Sequence, residues 1–230
     1  MATSKVQRWG IMTILIVTVV GTLGSFAVMI LSMQNQQRIQ ADYEKVNNEY
    51  QTQLKAYKAK VQAQADELSA KYYDTFKQYS TQAGTYDVNS VKELKTEDLA
   101  EGDGAVIDGS TKFAAYYIGW DANGNVFDQS IDGSKLKEPT AVANGLDKAG
   151  LIAGWKEGLK GMKIGGVRLL SIPSDKAYGE AGQKDKNGKQ TIPANMPLKF
   201  VVMAIPQPPT IPQPDSSKLM EAYMKVYGNQ

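Results

Sequence analysis

The feature that most restricts this chain is an uncharged apolar run, Trp9–Met33, and no charged residue occurs between Arg8 and Arg38. About 20 apolar residues in a helix cross the hydrocarbon core of a bilayer, so the run is long enough to span it. A buried core helix would rarely be apolar on every face. A cleaved signal peptide would have an apolar core of about 7–15 residues and a small-residue cleavage site, for which Ser32-Met-Gln-Asn is a poor match. The sequence therefore predicts an uncleaved, single-pass transmembrane helix at 9–33.

Charges beside this run predict its orientation. Lys5, Arg8 and the amino terminus precede it, whereas Arg38 and Lys45 follow it among acidic residues. Positive charge at the first flank favours a cytoplasmic N-terminus, here 1–8, with the rest of the chain extracytoplasmic. A single short anchor followed by a stalk is typical of bacterial cell-membrane proteins.

Residues 37–80 carry a regular apolar stripe on a polar background. The spacing runs 4, 3, 4 and repeats every eleven residues, which predicts a stalk helix about 60 Å long with the pattern of a straight or right-handed coiled coil. One apolar stripe needs a partner: a second copy, another protein, or the folded part of this chain. A stalk without a binding role is the alternative. The stripe consists of Ile39, Tyr43, Val46, Tyr50, Leu54, Tyr57, Val61, Ala65, Leu68, Tyr72, Phe76 and Tyr79.

The C-terminal segment 207–230 begins as a proline-rich linker. Pro206–Pro214 contains five prolines in nine residues, which favours an extended backbone. Asp215 then precedes a predicted amphipathic helix, Lys218–Tyr227. We expect this helix to dock, for example on the stalk, or else to form a frayed tail.

Between stalk and linker, short β-rich segments surround Gly150–Lys160. A short helix there would place Leu151, Ile152 and Trp155 on one apolar face, and Gly161 would end it. Strands, one short helix and more strands predict an α+β domain with an antiparallel sheet. The polar stretch Gly182–Gln190 is predicted to be a surface loop. The predicted strands are Lys112–Trp120, Val126–Asp128, Val167–Pro173 and Leu198–Ile205.

Composition excludes several kinds of chemistry. The chain has no Cys and no His, which excludes zinc sites of the usual ligand sets and Ser-His or Cys-His catalytic pairs. We expect no metal and no cofactor. The net charge is +2 without a Lys/Arg block, so nucleic-acid binding has no support.

Six short motifs follow one another along the predicted α+β domain. They are Tyr117-Ile-Gly-Trp, Val126-Phe-Asp, Leu151-Ile-Ala-Gly-Trp, Ala177-Tyr-Gly, Ile192-Pro and Leu198-Lys-Phe. This is the order found in FKBP-type peptidyl-prolyl isomerases, which the chain resembles from about Lys92 to Pro206. The resemblance implies an FKBP-like antiparallel sheet wrapped on one short helix over 84–206. It also implies acceleration of X-Pro isomerisation in exported or membrane-associated polypeptides that contain proline.

The resemblance also implies the roles of site residues. An apolar pocket would favour the twisted, less polar amide over the planar one, so no nucleophile or metal is needed. The catalytic set would be Asp128, Tyr178, the Ile152 backbone N–H and Trp155 as the floor. The substrate-binding walls and rim would be Tyr117, Phe127, Leu151, Ile192 and Phe200.

Three departures and two alternatives accompany this resemblance. Pro139–Val142 replaces an aromatic pair that the family often carries, two extra residues occur near Asp147-Lys148, and the loop after Tyr178 is longer than in the minimal domain. One alternative function is a chaperone or scaffold module that binds proline segments with little turnover. The other is a stalk protein whose domain is only a connector.

Overall fold

The computed structural model describes the backbone of residues 5–228 and the side chains of residue 12 and of 15–228. Residues 1–4 of the predicted cytoplasmic segment 1–8 lie outside the described residues. Two compact units are present: residues 1–58 with 212–230, and residues 59–211. The α-helices are α1 (Lys5–Lys77), α2 (Ala153–Gly158) and α3 (Ser217–Tyr227).

Helix α1 joins the predicted transmembrane helix and the predicted stalk into one element, and a short 3₁₀ segment, Gln78–Gln82, follows it. Among the described residues it is the one helix that is long and apolar enough to cross a membrane. Its described side chains from Leu15 to Met33 are exposed. This exposure distinguishes the segment from the core helix of a globular domain.

In the first unit, α3 packs on α1. The ring of Tyr43 lies 6.4 Å from that of Tyr223 and 6.0 Å from that of Tyr227, both edge-on. Leu219 and Val226 are partly buried on the same short helix. The docking of the C-terminal helix on the stalk, which was one of the two predicted outcomes, is therefore the observed one.

The second unit is built on β-strands. The strands are β1 (Lys95–Ala100), β2 (Phe113–Trp120), β3 (Val126–Gln129), β4 (Ile131–Asp132), β5 (Lys135–Leu136), β6 (Thr140–Val142), β7 (Val167–Ile172), β8 (Gln183–Lys184), β9 (Gln190–Ile192) and β10 (Leu198–Pro206). The main antiparallel sheet has the order β1-β7-β10-β2-β3, in which β6 pairs with β2 as well. Two small hairpins, β4–β5 and β8–β9, lie outside this sheet. The α+β class predicted from the sequence is confirmed.

Strands β2 and β10 are apolar at almost every position because both faces of the sheet are covered. On one face, alternate residues such as Phe113 and Phe200 pack around Trp155 and Leu159. On the other face, the intervening residues pack against the C-terminal part of α1. Phe76 of α1 is fully buried there, with its ring 6.2 Å from that of Tyr116.

Polar contacts also tie α1 to the sheet unit. The buried Ser69 hydroxyl accepts a hydrogen bond of 2.8 Å from the Leu136 N–H. Consequently the compact unit that contains the sheet begins at Ala59, inside the predicted stalk. All twelve stripe positions are partly or fully buried within this one chain.

Three local predictions differ from the structure. The helix expected over Gly150–Lys160 begins only at Ala153, because Ile152 takes an extended backbone (φ −61°, ψ 152°) and forms its N-cap. The predicted loop Gly182–Gln190 contains most of the β8–β9 hairpin, whose turn is closed by the Asp185 side chain. The edge strands β1 and β6 were not predicted, since their sequences are polar or very short.

Arg168 fixes the position of α2 against the sheet. Its buried guanidinium donates to both carboxylate oxygens of Asp98 on β1, at 2.6 and 2.9 Å. The remaining nitrogen donates to the carbonyls of Gly158 and Lys160 at the end of α2, at 2.9 and 3.1 Å. This hydrogen-bonded pair lowers the pKa of Asp98, and the guanidinium satisfies carbonyls that the helix terminus leaves unpaired.

Candidate active site

A cavity of about 330 Å³ opens between the sheet and the N-terminal end of α2. This volume is at the lower end of the range for small-ligand sites. Eight of the nine predicted site residues contribute to its wall. The lining residues are Tyr117, Phe127, Asp128, Gly150, Leu151, Ile152, Trp155, Tyr178, Gln183 and Phe200.

Perpendicular aromatic rings form the base of the cavity. Trp155 is 4% exposed, and its ring meets those of Tyr117 and Phe200 edge-on at 5.4 and 5.6 Å. Phe127 in turn meets Phe200 edge-on at 5.5 Å. Each ring is braced by another, so the apolar wall keeps its shape without a ligand.

Polar groups are few and lie on the cavity wall. The Tyr117 hydroxyl donates a hydrogen bond to Asp128. Because Ile152 precedes the helix in an extended conformation, its N–H donates to no partner among the described residues. The Tyr178 hydroxyl likewise has no hydrogen-bond partner within the described part of the chain. The Ile152 N–H and the Tyr178 hydroxyl are thus donors of cavity-lining residues that the described part of the chain leaves unpaired.

A second, larger depression is a poorer candidate. It measures about 760 Å³ and lies along α1 between Ala41 and Gln53. Its lining comes from one face of one helix, so nothing faces it across the opening. The smaller cavity has opposed walls and convergent donors, which are the features of a ligand site.

Comparison with known proteins identifies the family to which this domain belongs. Residues 95–205 match the model of the FKBP-type peptidyl-prolyl cis-trans isomerase family. An FK506-binding protein of Neisseria meningitidis serogroup A is 41% identical over 89 residues, which cover 39% of this chain and 77% of that protein. This chain belongs to the FKBP-type peptidyl-prolyl isomerases.

Two further similarities concern other FKBP-type proteins. The peptidyl-prolyl cis-trans isomerase Mip of Chlamydia trachomatis serovar D is 34% identical over 142 residues, covering 61% of this chain and 55% of that one. The crystal structure of AtFKBP13 has 30% sequence identity and a TM-score of 0.43, with coverage of 50% of this chain and 93% of that chain. Members of the family act on proline-containing peptides, and the predicted enzyme class is confirmed.

The electrostatics of the FKBP cavity keep its hydroxyls protonated. Burial raises the pKa of Tyr117 above its usual range, and the hydrogen bond to Asp128 raises it further. Burial also raises the pKa of Tyr178, with the Asp128 charge as the second cause. A raised pKa means that each hydroxyl holds its proton to higher pH than an ordinary tyrosine, so both remain donors into the alkaline range.

One predicted site residue lies elsewhere. Ile192 was expected to close the rim of the FKBP pocket, but it is 1% exposed and packs into the core beside Leu198 and Ile172. The reason is the β8–β9 hairpin: pairing of Ile192 with Gln183 turns the Ile192 side chain inward.

Two lining residues were missed by sequence reasoning. Gly150 has no side chain that could signal a role, and Gln183 lies inside the predicted loop Gly182–Gln190. The extra length of the chain after Tyr178 was the available signal for Gln183.

Proposed function

We propose that this chain accelerates X-Pro isomerisation by holding the proline ring against Trp155, with Tyr117, Phe127 and Phe200 as walls. The observation that carries the proposal is the set of perpendicular rings beside a free backbone donor. The amide barrier of about 20 kcal/mol comes from resonance that makes the planar amide polar. A braced apolar cavity favours the twisted, less polar amide over the planar one.

The polar groups have separate roles in this proposal. The Ile152 N–H and the Tyr178 hydroxyl donate to substrate carbonyls and fix the peptide relative to the rings. Asp128, which accepts from Tyr117, orients the polar groups at the twisting amide. Leu151 extends the apolar wall at the entrance.

Removal of the Tyr178 hydroxyl tests these assignments. Tyr178→Phe keeps the ring and loses one donor, so we expect kcat/KM to fall about two- to tenfold, the value of one hydrogen bond. Tyr223→Phe, on α3, is the matched control and should leave kcat/KM unchanged. An unaltered kcat/KM in Tyr178→Phe would remove this hydroxyl from the mechanism.

We further propose that α1 anchors the enzyme in a membrane through residues 9–33, with residues 1–8 cytoplasmic and the isomerase unit extracytoplasmic. The uncharged run and the exposed apolar side chains of α1 support the anchor. The basic flank at Lys5 and Arg8 supports the orientation. The natural substrates would then be exported or membrane-associated chains.

Membrane extraction tests the anchor. We expect the full-length chain to stay in the membrane fraction after an alkaline wash, because some 20 apolar residues would have to enter water to release it. Protease added outside intact cells should remove the isomerase unit. Release of the intact chain by the wash would contradict the anchor, and protection from protease would contradict the orientation.

A further inference from the structure

We propose that Ser69 of α1 is a positioning residue for the isomerase cavity and acts, through the β4–β5 hairpin and Ser130, on Tyr117. The inference rests on the proposed function, in which Tyr117 and Asp128 belong to the cavity wall. Ser69 lies outside residues 95–205, which match the family model. The role proposed for it therefore comes from the contacts of this chain and not from the family motifs.

The Ser130 hydroxyl continues the pairing of β3 with β2 where the backbone ladder ends. The last pair of that ladder joins Ile118 to Gln129. One residue further, the Ser130 N–H donates to the Tyr117 carbonyl at 2.8 Å, whereas the Ser130 carbonyl accepts from the Lys137 N–H at 2.8 Å. The Tyr117 N–H donates instead to the Ser130 hydroxyl at 3.0 Å. Buried Ser130 thus binds both backbone polar groups of Tyr117.

Tyr117 is held at both of its ends by the segment that carries Ser130. Its backbone is bonded to Ser130, and its hydroxyl donates to Asp128, two residues earlier in the chain. Between these ends, its ring meets that of Trp155 edge-on at 5.4 Å. Displacement of Ser130 would therefore change both the ring's position in the cavity wall and the direction of its bond to Asp128.

The β4–β5 hairpin, which begins directly after Ser130, depends on α1 for its position. Each of its strands has only two residues, and short isolated hairpins are marginally stable. The Ser69 hydroxyl accepts from the Leu136 N–H at 2.8 Å, and the Tyr73 hydroxyl donates to the Gly133 carbonyl at 3.3 Å. Leu136 is also buried in the cluster between α1 and the sheet. Helix α1 thus holds both the turn of this hairpin and its second strand.

The connection from Ser69 to Tyr117 has no gap. Loss of the Ser69 hydroxyl would leave the Leu136 N–H buried and unpaired, and an unpaired buried N–H is costly enough to make the strand move. Lys137 follows Leu136 directly, and its N–H is the donor that turns the Ser130 carbonyl away from Tyr117. Movement of β5 is therefore transmitted to Ser130 and from there to Tyr117.

Ser69→Ala tests this connection. The full-length chain in nonionic detergent is assayed on a proline tetrapeptide at 10 °C, and circular dichroism confirms that each variant is folded. We expect kcat/KM to fall about three- to tenfold, the value of one misplaced hydrogen-bonded group.

Ala65→Gly is the matched control. Ala65 is buried one turn earlier on the same face of α1 and belongs to neither of the two clusters of buried residues. Glycine weakens the helix without removing a hydrogen bond to the hairpin, so kcat/KM should stay within twofold of the unmodified chain.

The NMR signal of Tyr117 separates positioning from stability. In the chain labelled with ¹³C at tyrosine Cζ, this signal is assigned by its loss in Tyr117→Phe, and it reports the bond from the hydroxyl to Asp128. Without substrate and at neutral pH, we expect Ser69→Ala to shift the signal and Ala65→Gly to leave it in place.

Ser130→Ala tests the route. Because Ser69 acts through Ser130, the variant with both changes should be no more than about twofold less active than Ser130→Ala alone. Falls in kcat/KM that multiply in the double variant would show that Ser69 does not act through Ser130, which overturns the inference.

The remaining outcomes separate this inference from the proposed function. With the unmodified chain active, an unmoved Tyr117 signal or an unchanged kcat/KM in Ser69→Ala would overturn the role of Ser69 and leave the isomerase intact. Equal losses in Ser69→Ala and Ala65→Gly would show a general weakening of α1, which also overturns it. Absence of turnover in the unmodified chain would instead contradict the proposed function, while the Tyr117 signal, which is measured without substrate, would still test the connection to Ser69.

Discussion

Phe76→Ala is expected to lower the free energy of unfolding of the isomerase unit by about 3–5 kcal/mol, although Phe76 belongs to the stalk helix. The ring is fully buried between α1 and the second face of the sheet, near Tyr116, Val201 and Met203. Loss of the ring leaves a cavity between α1 and the sheet, and these closely packed elements can relax only partly to fill it.

Guanidinium unfolding of the chain from Gln37 to Gln230 measures this effect. Trp120 and Trp155 lie on opposite faces of the sheet, so their fluorescence reports both faces at once. The control Glu67→Ala removes an exposed side chain of the same helix and should shift stability by less than about 0.5 kcal/mol. A loss below about 1 kcal/mol in Phe76→Ala, or helix melting without a fluorescence change, would show that α1 is a separate stalk.

Gly119→Ala should damage catalysis more than stability. A Cβ at this position of β2 would lie 2.5 Å from Cε1 of Phe200 and 2.8 Å from Cζ of Phe127. Both distances are shorter than a Cβ tolerates, so at least one of these two cavity-lining rings must shift. Overpacking of this kind costs about 1–3 kcal/mol, which corresponds to roughly a 5- to 160-fold fall in kcat/KM if it acts on the transition state.

Gly84→Ala is the matched control, because a Cβ there meets nothing within 4 Å. Activity should be measured at 10 °C, and near-UV circular dichroism should confirm that both variants are folded. If Gly119→Ala keeps kcat/KM within twofold of the unmodified chain, the rings do not form the reactive wall.

The sequence was sufficient to predict the sheet's central strands and most of the cavity, because those residues combine local pattern with family motifs. Strands β2 and β10 are rich in β-branched and aromatic residues and are bounded by turn residues. The ends of each predicted strand agree with the observed ends to within one residue. The apolar stripe of α1 could also be predicted from the sequence, but the pattern does not show which surface packs against it. Its C-terminal part covers the sheet, which depends on contacts such as Phe76 with Tyr116.

The positions of the Ile192 and Gln183 side chains could not be predicted from the sequence, for a different reason. Their orientation is set by the pairing of β8 with β9, two and three residues long, and such short polar strands have no periodic signal. A shift of one residue in a strand exchanges the inward and outward faces. The same pairing buried Ile192 and brought Gln183 to the cavity.

The central claim is that this cavity catalyses rotation about the X-Pro bond, and NMR exchange spectroscopy of a proline tetrapeptide tests it most directly. The uncatalysed exchange rate is about 0.01 s⁻¹, and lowering the barrier by about 4 kcal/mol would raise it to about 10 s⁻¹. With catalytic amounts of the chain from Gln37 to Gln230, we expect exchange cross-peaks between the cis and trans proline signals, and we expect Gly119→Ala to weaken them. Proline signals that shift on binding while exchange stays at the uncatalysed rate would contradict the account.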